Sequence, residues 1–166
     1  MRRSHLLVIL AVIGAFALGA VLPGAFADEK KAPGAVRNAL AETGKVQGAP
    51  DRTLVLSRVT IDPGAELALH HHLGTQVAQV VKGTLTYTVR KGSAVVSEGE
   101  SDANPRVVRT IVAGQTGKIR SGQWIVEQPS DVHEAANRGP GPVVIYLATL
   151  LKTGAPPSTP VVLGGD

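Results

Sequence analysis

No cysteine occurs among the 166 residues. Disulfides, thiolate chemistry and lipid attachment at a cysteine are therefore excluded. Aromatic side chains are also scarce, at 3%. Charge of one sign is not in strong excess: 17 Lys and Arg stand against 13 Asp and Glu. Setting aside Arg2 and Arg3 at the very start leaves 15 against 13. With no Lys/Arg run, the basic footprint of a nucleic-acid binder is missing, and nucleic acid is not an expected partner. Beyond residue 50 there is no long amphipathic helix and no alternation of strand with helix, which excludes a parallel βαβ sheet. What is abundant is Gly (19), Pro (11) and β-branched residues, with hydrophobic content of 43%. That level is too high for a disordered chain, and the mixture suits many short strands joined by tight turns.

The first residues read as a targeting segment. Arg2 and Arg3 precede an apolar run from Leu6 to Leu22. Pro23-Gly24 breaks it, and Ala25-Phe26-Ala27 has the small-x-small pattern read by signal peptidase. Residues 1–27 are expected to be a signal peptide cleaved after Ala27, giving a secreted or extracytoplasmic protein. The alternative is an uncleaved anchor, and then this segment alone would touch the membrane. Residues 28–50 read as a flexible leader, with one short helix over Val36–Glu42 ended by Gly44. Residues 51–152 form the domain, and the Pro/Gly-rich stretch 153–166 reads as an extended strap or a loose end.

About ten strands are expected in the domain: 53–61, 66–72, 76–81, 84–90, 94–97, 106–112, 117–120, 123–127, 133–137 and 142–151. Asp62-Pro63-Gly64 and Lys82-Gly83 are turn sequences. Ten short antiparallel strands in about 100 residues fit an all-β, double-sheet jelly-roll barrel.

Four of the five histidines lie beyond the targeting segment: His70, His71, His72 and His133. Side chains alternate along a strand, so His70 and His72 share a face and His71 takes the other. The two positions are about 6.6 Å apart along the strand. Their imidazoles can lean together onto one ion at about 2.0–2.1 Å. His133, on a distant strand, could close the site.

These residues resemble the cupin family. Its first motif runs G-x5-H-x-H-x3-E-x6-G, and this chain has Gly64, His70, His72, Gln76 and Gly83 at that spacing. Its second runs G-x5-P-x-G-x2-H-x3-N. Here Gly122, His133 and Asn137 match, while Gln128 and Ser130 stand where Pro and Gly are expected. The resemblance covers Asp51 to Leu151 and implies an antiparallel double-stranded β-helix, the cupin jelly roll. It also implies one divalent metal held by His70, His72, Gln76 and His133. The metal could be Fe, Mn, Ni, Zn or Cu. Gln76 replaces the family's Glu, an amide for a carboxylate. The expected site is therefore either weaker and more positive, favouring an anionic chelating ligand such as an enolate or carboxylate, or a three-His site with open positions.

The resemblance further implies a small-molecule ligand or substrate and a metal-dependent dioxygenase, isomerase or lyase. A non-catalytic metal-binding or ligand-binding module is the alternative reading, and pairing as a homodimer is compatible with the family. No Asp or Glu within the motifs is an evident general base. Asn137 is expected to make structural hydrogen bonds. Trp124 is expected in the core, and Tyr87 and Tyr146 either at the barrel mouth or in ordinary packing. Glu98, Glu100 and Asp102 read as a solvated loop.

Overall fold

A computed structural model describes Ala32 and residues 34–100 and 103–162. The expected signal peptide and its cleavage site lie outside the described residues. Twelve strands are present among the described residues: β1 (Ala35–Thr43), β2 (Arg52–Ile61), β3 (Glu66–His71), β4 (Gly74–Lys82), β5 (Thr84–Lys91), β6 (Ser93–Glu98), β7 (Arg106–Val112), β8 (Thr116–Arg120), β9 (Gln123–Glu127), β10 (Val132–Ala136), β11 (Val143–Lys152) and β12 (Thr159–Pro160). They form a seven-stranded sheet in the order β1-β2-β11-β4-β9-β6-β7 and a five-stranded sheet in the order β12-β3-β10-β5-β8. Every pairing is antiparallel. This is the all-β jelly-roll barrel expected from the turn-rich, strand-rich composition.

Alternation builds the interior. Along β2, β11 and β4 the inward positions read Ser57, Val59 and Ile61; Val143, Ile145, Leu147 and Thr149; Gln76, Ala78 and Val80. Ile61, Val80, Ile111, Ile119, Ile125 and Val143 are almost wholly buried between the sheets. The register matters for the site. Gln76 pairs with Thr149 on one side and with Glu127 on the other, and Leu147 pairs with Ser57. The inner face therefore changes, within one sheet, from an apolar end to a polar end.

Turn chemistry follows the sequence. In Asp62-Pro63-Gly64 the amide of Ala65 donates to the carbonyl of Asp62 at 3.0 Å. Gly64 takes φ = 80°, a region open to glycine at no steric cost. Asn137, fully buried, ties the neighbouring loops together. Its amide nitrogen donates to the carbonyls of Ile61 (2.9 Å) and Gly141 (2.8 Å), and its oxygen accepts from the amide of Gly139 (2.9 Å).

Three expectations need correction, and for the C-terminal stretch one of the two expected forms is found. Val36–Glu42, read as a helical turn in a flexible leader, belongs to strand β1, which pairs with β2 from Ala35↔Ile61 to Thr43↔Leu54 with a bulge at Leu40. Helix-forming Ala, Leu and Glu are overridden because this segment completes the ladder of β2. The sheet thus begins at Ala35, well before Asp51. Trp124 faces outward, half-buried, with Nε1 donating to the carbonyl of Gly99 at 3.1 Å. Period 2 requires this, since Gln123, Ile125 and Glu127 take the inner face. Tyr146 lies exposed on the outer face of β11, away from the barrel interior. The C-terminal segment is a strap: β12 pairs with β3, Thr159 opposite His71 and Pro160 opposite His70.

Candidate metal centre

The polar end of the barrel holds the histidines. His70 and His72 come from β3 and the residue after it, and His133 from β10, directly opposite His70. One ligand nitrogen from each lies within 4.8 Å of the others, so these three could hold one metal ion. Their ring centroids are 4.4–5.2 Å apart. His71, on the opposite face of β3, is not part of this group.

Backbone carbonyls orient two of the rings. His70 Nδ1 donates to the carbonyl of Ala68 at 2.6 Å, and His72 Nδ1 donates to that of Pro157 at 2.8 Å. A proton on each Nδ1 leaves Nε2 with its lone pair turned inward, the arrangement by which outer partners fix metal-ligating imidazoles. His72 Nε2 and His133 Nε2 approach to 3.3 Å.

Opposite the histidines, the seven-stranded sheet contributes Gln76 and Glu127, both buried. Gln76 Nε2 donates to Glu127 Oε2 and, at 2.9 Å, to His72 Nε2. A carboxylate can only accept, which fixes the amide's orientation. Gln76 Oε1 is buried without a hydrogen-bond partner. Tyr87 stacks on His133 (5.0 Å, 25°) and donates its hydroxyl to Glu127 Oε1 at 2.8 Å. Glu127 Oε1 lies 3.3 Å from His133 Nε2, and Oε2 lies 3.7 Å from His72 Nε2.

Glu127 carries no motif signal in the sequence, because it falls at an unspecified position of the second motif, between Gly122 and Gln128. A signal was nonetheless present. In Gln-Trp-Ile-Val-Glu, the charged residue falls on the same strand face as Ile125.

The electrostatics favour neutral imidazoles and an ionised carboxylate. Burial pushes His133 down to about 4, partly offset by Glu127, and burial likewise lowers His72. Burial opposes ionisation of Glu127. The facing His133 and His72 and the hydrogen bonds from Gln76 and Tyr87 outweigh it, holding the carboxyl below its usual range. Burial, then Glu127, pushes the Tyr87 phenol far up, so it stays a proton donor.

The histidines open onto a cavity of about 550 Å³, floored by Val80, Leu85, Ile119, Ile125 and Leu147. Among the described residues lining it, Arg37 of β1 is the one Lys or Arg. It shares the inner face with its cross-strand partner Val59, and its Nε donates to Ser57 Oγ at 3.2 Å.

No protein-family model matches the sequence, and no curated protein matches it. Solved structures do. A cupin 2 domain-containing protein from Halorhodospira halophila aligns with a TM-score of 0.50 and 17% identity over 77% of this chain and 71% of that one. A cupin-like protein from Thermotoga maritima aligns at 0.49 and 16%, over 76% and 75%. At such identities the likeness is one of fold, and together with the two-sheet barrel it gives this chain the cupin fold.

Proposed function

We propose that this barrel holds one divalent metal through His70, His72 and His133, and uses it to bind a small anionic, oxygen-bearing molecule in the cavity above. The convergence of the three imidazoles carries the reading: their ligand nitrogens fall within 4.8 Å of one another, and carbonyls fix the tautomers of His70 and His72. When bound, the metal would act as a Lewis acid on an oxygen ligand. The protein's part is to keep the imidazoles neutral, to exclude water with the aliphatic floor, and to present Arg37. An arginine guanidinium is always charged and well shaped for a carboxylate. A bound M²⁺ together with Arg37 outweighs the two carboxylates of the lining, Glu66 and Glu127, which supports an anionic ligand.

Metal positions left open beside histidines are the arrangement used for oxygen chemistry, which supports a dioxygenase-like activity. No acid or base stands at a defined position of either motif beyond the histidines, which supports the second reading, a module that captures its ligand without turnover. Oxygen uptake by the Fe²⁺-loaded chain with small enolisable acids separates these two. The charged start, the apolar run and the Ala25-Phe26-Ala27 site support export, with a mature chain from Asp28.

The test is titration of the metal-loaded chain with malonate and with its neutral diamide. Malonate binding that needs the metal and exceeds the diamide's at least tenfold supports the proposal. Equal binding of the two, or binding unchanged without metal, contradicts it.

A further inference from the structure

The geometry points to Glu127 as the carboxylate of the metal donor set, held in place by Gln76, so that the acidic ligand has moved one strand sideways from β4 to β9. This rests on the three-histidine reading above and deepens it.

Gln76 and Glu127 are direct cross-strand partners, so both side chains project from the same level of the inner face. An ion bound at about 2.1 Å by each of two ligands at 90–110° sets those ligand atoms about 3.0–3.4 Å apart. His72 Nε2 to His133 Nε2 is 3.3 Å, and Glu127 Oε1 to His133 Nε2 is 3.3 Å. Glu127 Oε2 to His72 Nε2, at 3.7 Å, is slightly longer. Two imidazoles and a carboxylate thus already stand at near ligand-to-ligand spacing around one point.

Gln76 faces that point with its amide nitrogen, a donor that cannot ligate a cation, because Glu127 Oε2 takes its hydrogen bond. Tyr87 holds the other carboxylate oxygen at 2.8 Å. A ligating carboxylate is commonly hydrogen-bonded by outer partners that set its orientation. Gln76 and Tyr87 fill that place here, which makes Gln76 a positioning residue. Glu127 also lowers the charge of a bound M²⁺ centre by one, which raises affinity for the cation.

The experiment compares Zn²⁺ binding by calorimetry, at neutral pH, in the parent chain and four variants: Glu127→Gln, Gln76→Ala, the exchange Gln76→Glu/Glu127→Gln, and His70→Ala/His72→Ala. Infrared difference spectra on adding Zn²⁺ read the carboxylate directly. Glu127→Gln should weaken binding at least tenfold and abolish the metal-induced carboxylate band. The exchange, which returns the acid to β4, should bind within threefold of the parent and regain the band. Gln76→Ala should keep the band but shift its frequency, because the carboxylate loses an orienting hydrogen bond. If Glu127→Gln binds within threefold of the parent while the double-histidine variant does not bind, Glu127 is no ligand and the three-histidine site stands alone. If the double-histidine variant binds as the parent does, the histidine reading itself fails. The exchange guards against a folding defect in Glu127→Gln. A parent chain that shows no carboxylate band on adding Zn²⁺ overturns the assignment whatever the affinities.

Discussion

His72 donates its Nδ1 proton to the carbonyl of Pro157, 2.8 Å away and 85 residues along the chain. The C-terminal strap thereby orients a candidate ligand on β3, and β12 fastens that strap to the same strand at His70 and His71. Deleting residues 155–166 should lower metal affinity about tenfold, the usual effect of losing an outer partner of a ligating histidine. Melting temperature should fall by only a few degrees, because the strap lies outside the hydrophobic core. Calorimetric titration and thermal melting of the truncated chain check both.

Histidine protonation sets the acid limit of the metal-free protein. In an unfolded chain histidine titrates near 6.5, whereas the folded barrel keeps His133 neutral down to about 4 and also lowers His72. The folded state therefore binds fewer protons than the unfolded state between those values. Stability should be flat with respect to these groups above pH 6.5 and fall as pH drops from 6.5 toward 4. Each fully depressed histidine contributes a slope of about 1.4 kcal/mol per pH unit. Glu127, lowered in the fold, adds a further loss as pH falls below its ordinary value of 4.5. Denaturant melts of metal-free protein from pH 4 to 8 measure the slope, and His133→Asn should reduce it.

Arg37 is placed to recognise charge without touching the histidines. Arg37→Ala should weaken malonate binding by the metal-loaded chain about tenfold, the worth of one charge-assisted hydrogen bond. Metal affinity should stay within about threefold of the parent. A matched pair of titrations, metal first and then malonate, reads both effects.

Asn137 shows how a motif residue can serve the fold alone. Truncation to Ala would leave the amide of Gly139 and the carbonyl of Ile61 without their partner. The expected loss is about 3 kcal/mol, seen in a urea melt, with metal affinity unchanged wherever the variant remains folded.

The barrel was legible in the sequence because its signals are local. Turn residues such as Pro63-Gly64 mark strand ends, and period-2 patterns mark the faces between them. His70 and His72 were legible for the same reason, since two residues on one strand share a face whatever pairs with that strand. Glu127 required knowledge of strand pairing. Its meeting with Gln76 depends on the β4–β9 register, across 51 residues of sequence. Strand β1 escaped notice because Ala39, Leu40, Ala41 and Glu42 are good helix formers, and only the open edge of β2 makes them a strand. Arg37 escaped with it, because an arginine in an expected leader carries no sign of the cavity it lines.

Metal content reads the three-histidine site itself. The chain from Asp28 onward should be purified beside His70→Ala/His72→Ala and analysed for Fe, Mn, Ni, Cu and Zn, as isolated and after incubation with each ion. About one ion per chain, lost in the double variant, is expected of a site built on these histidines. Equal metal in both proteins, or none in either after incubation, would contradict it.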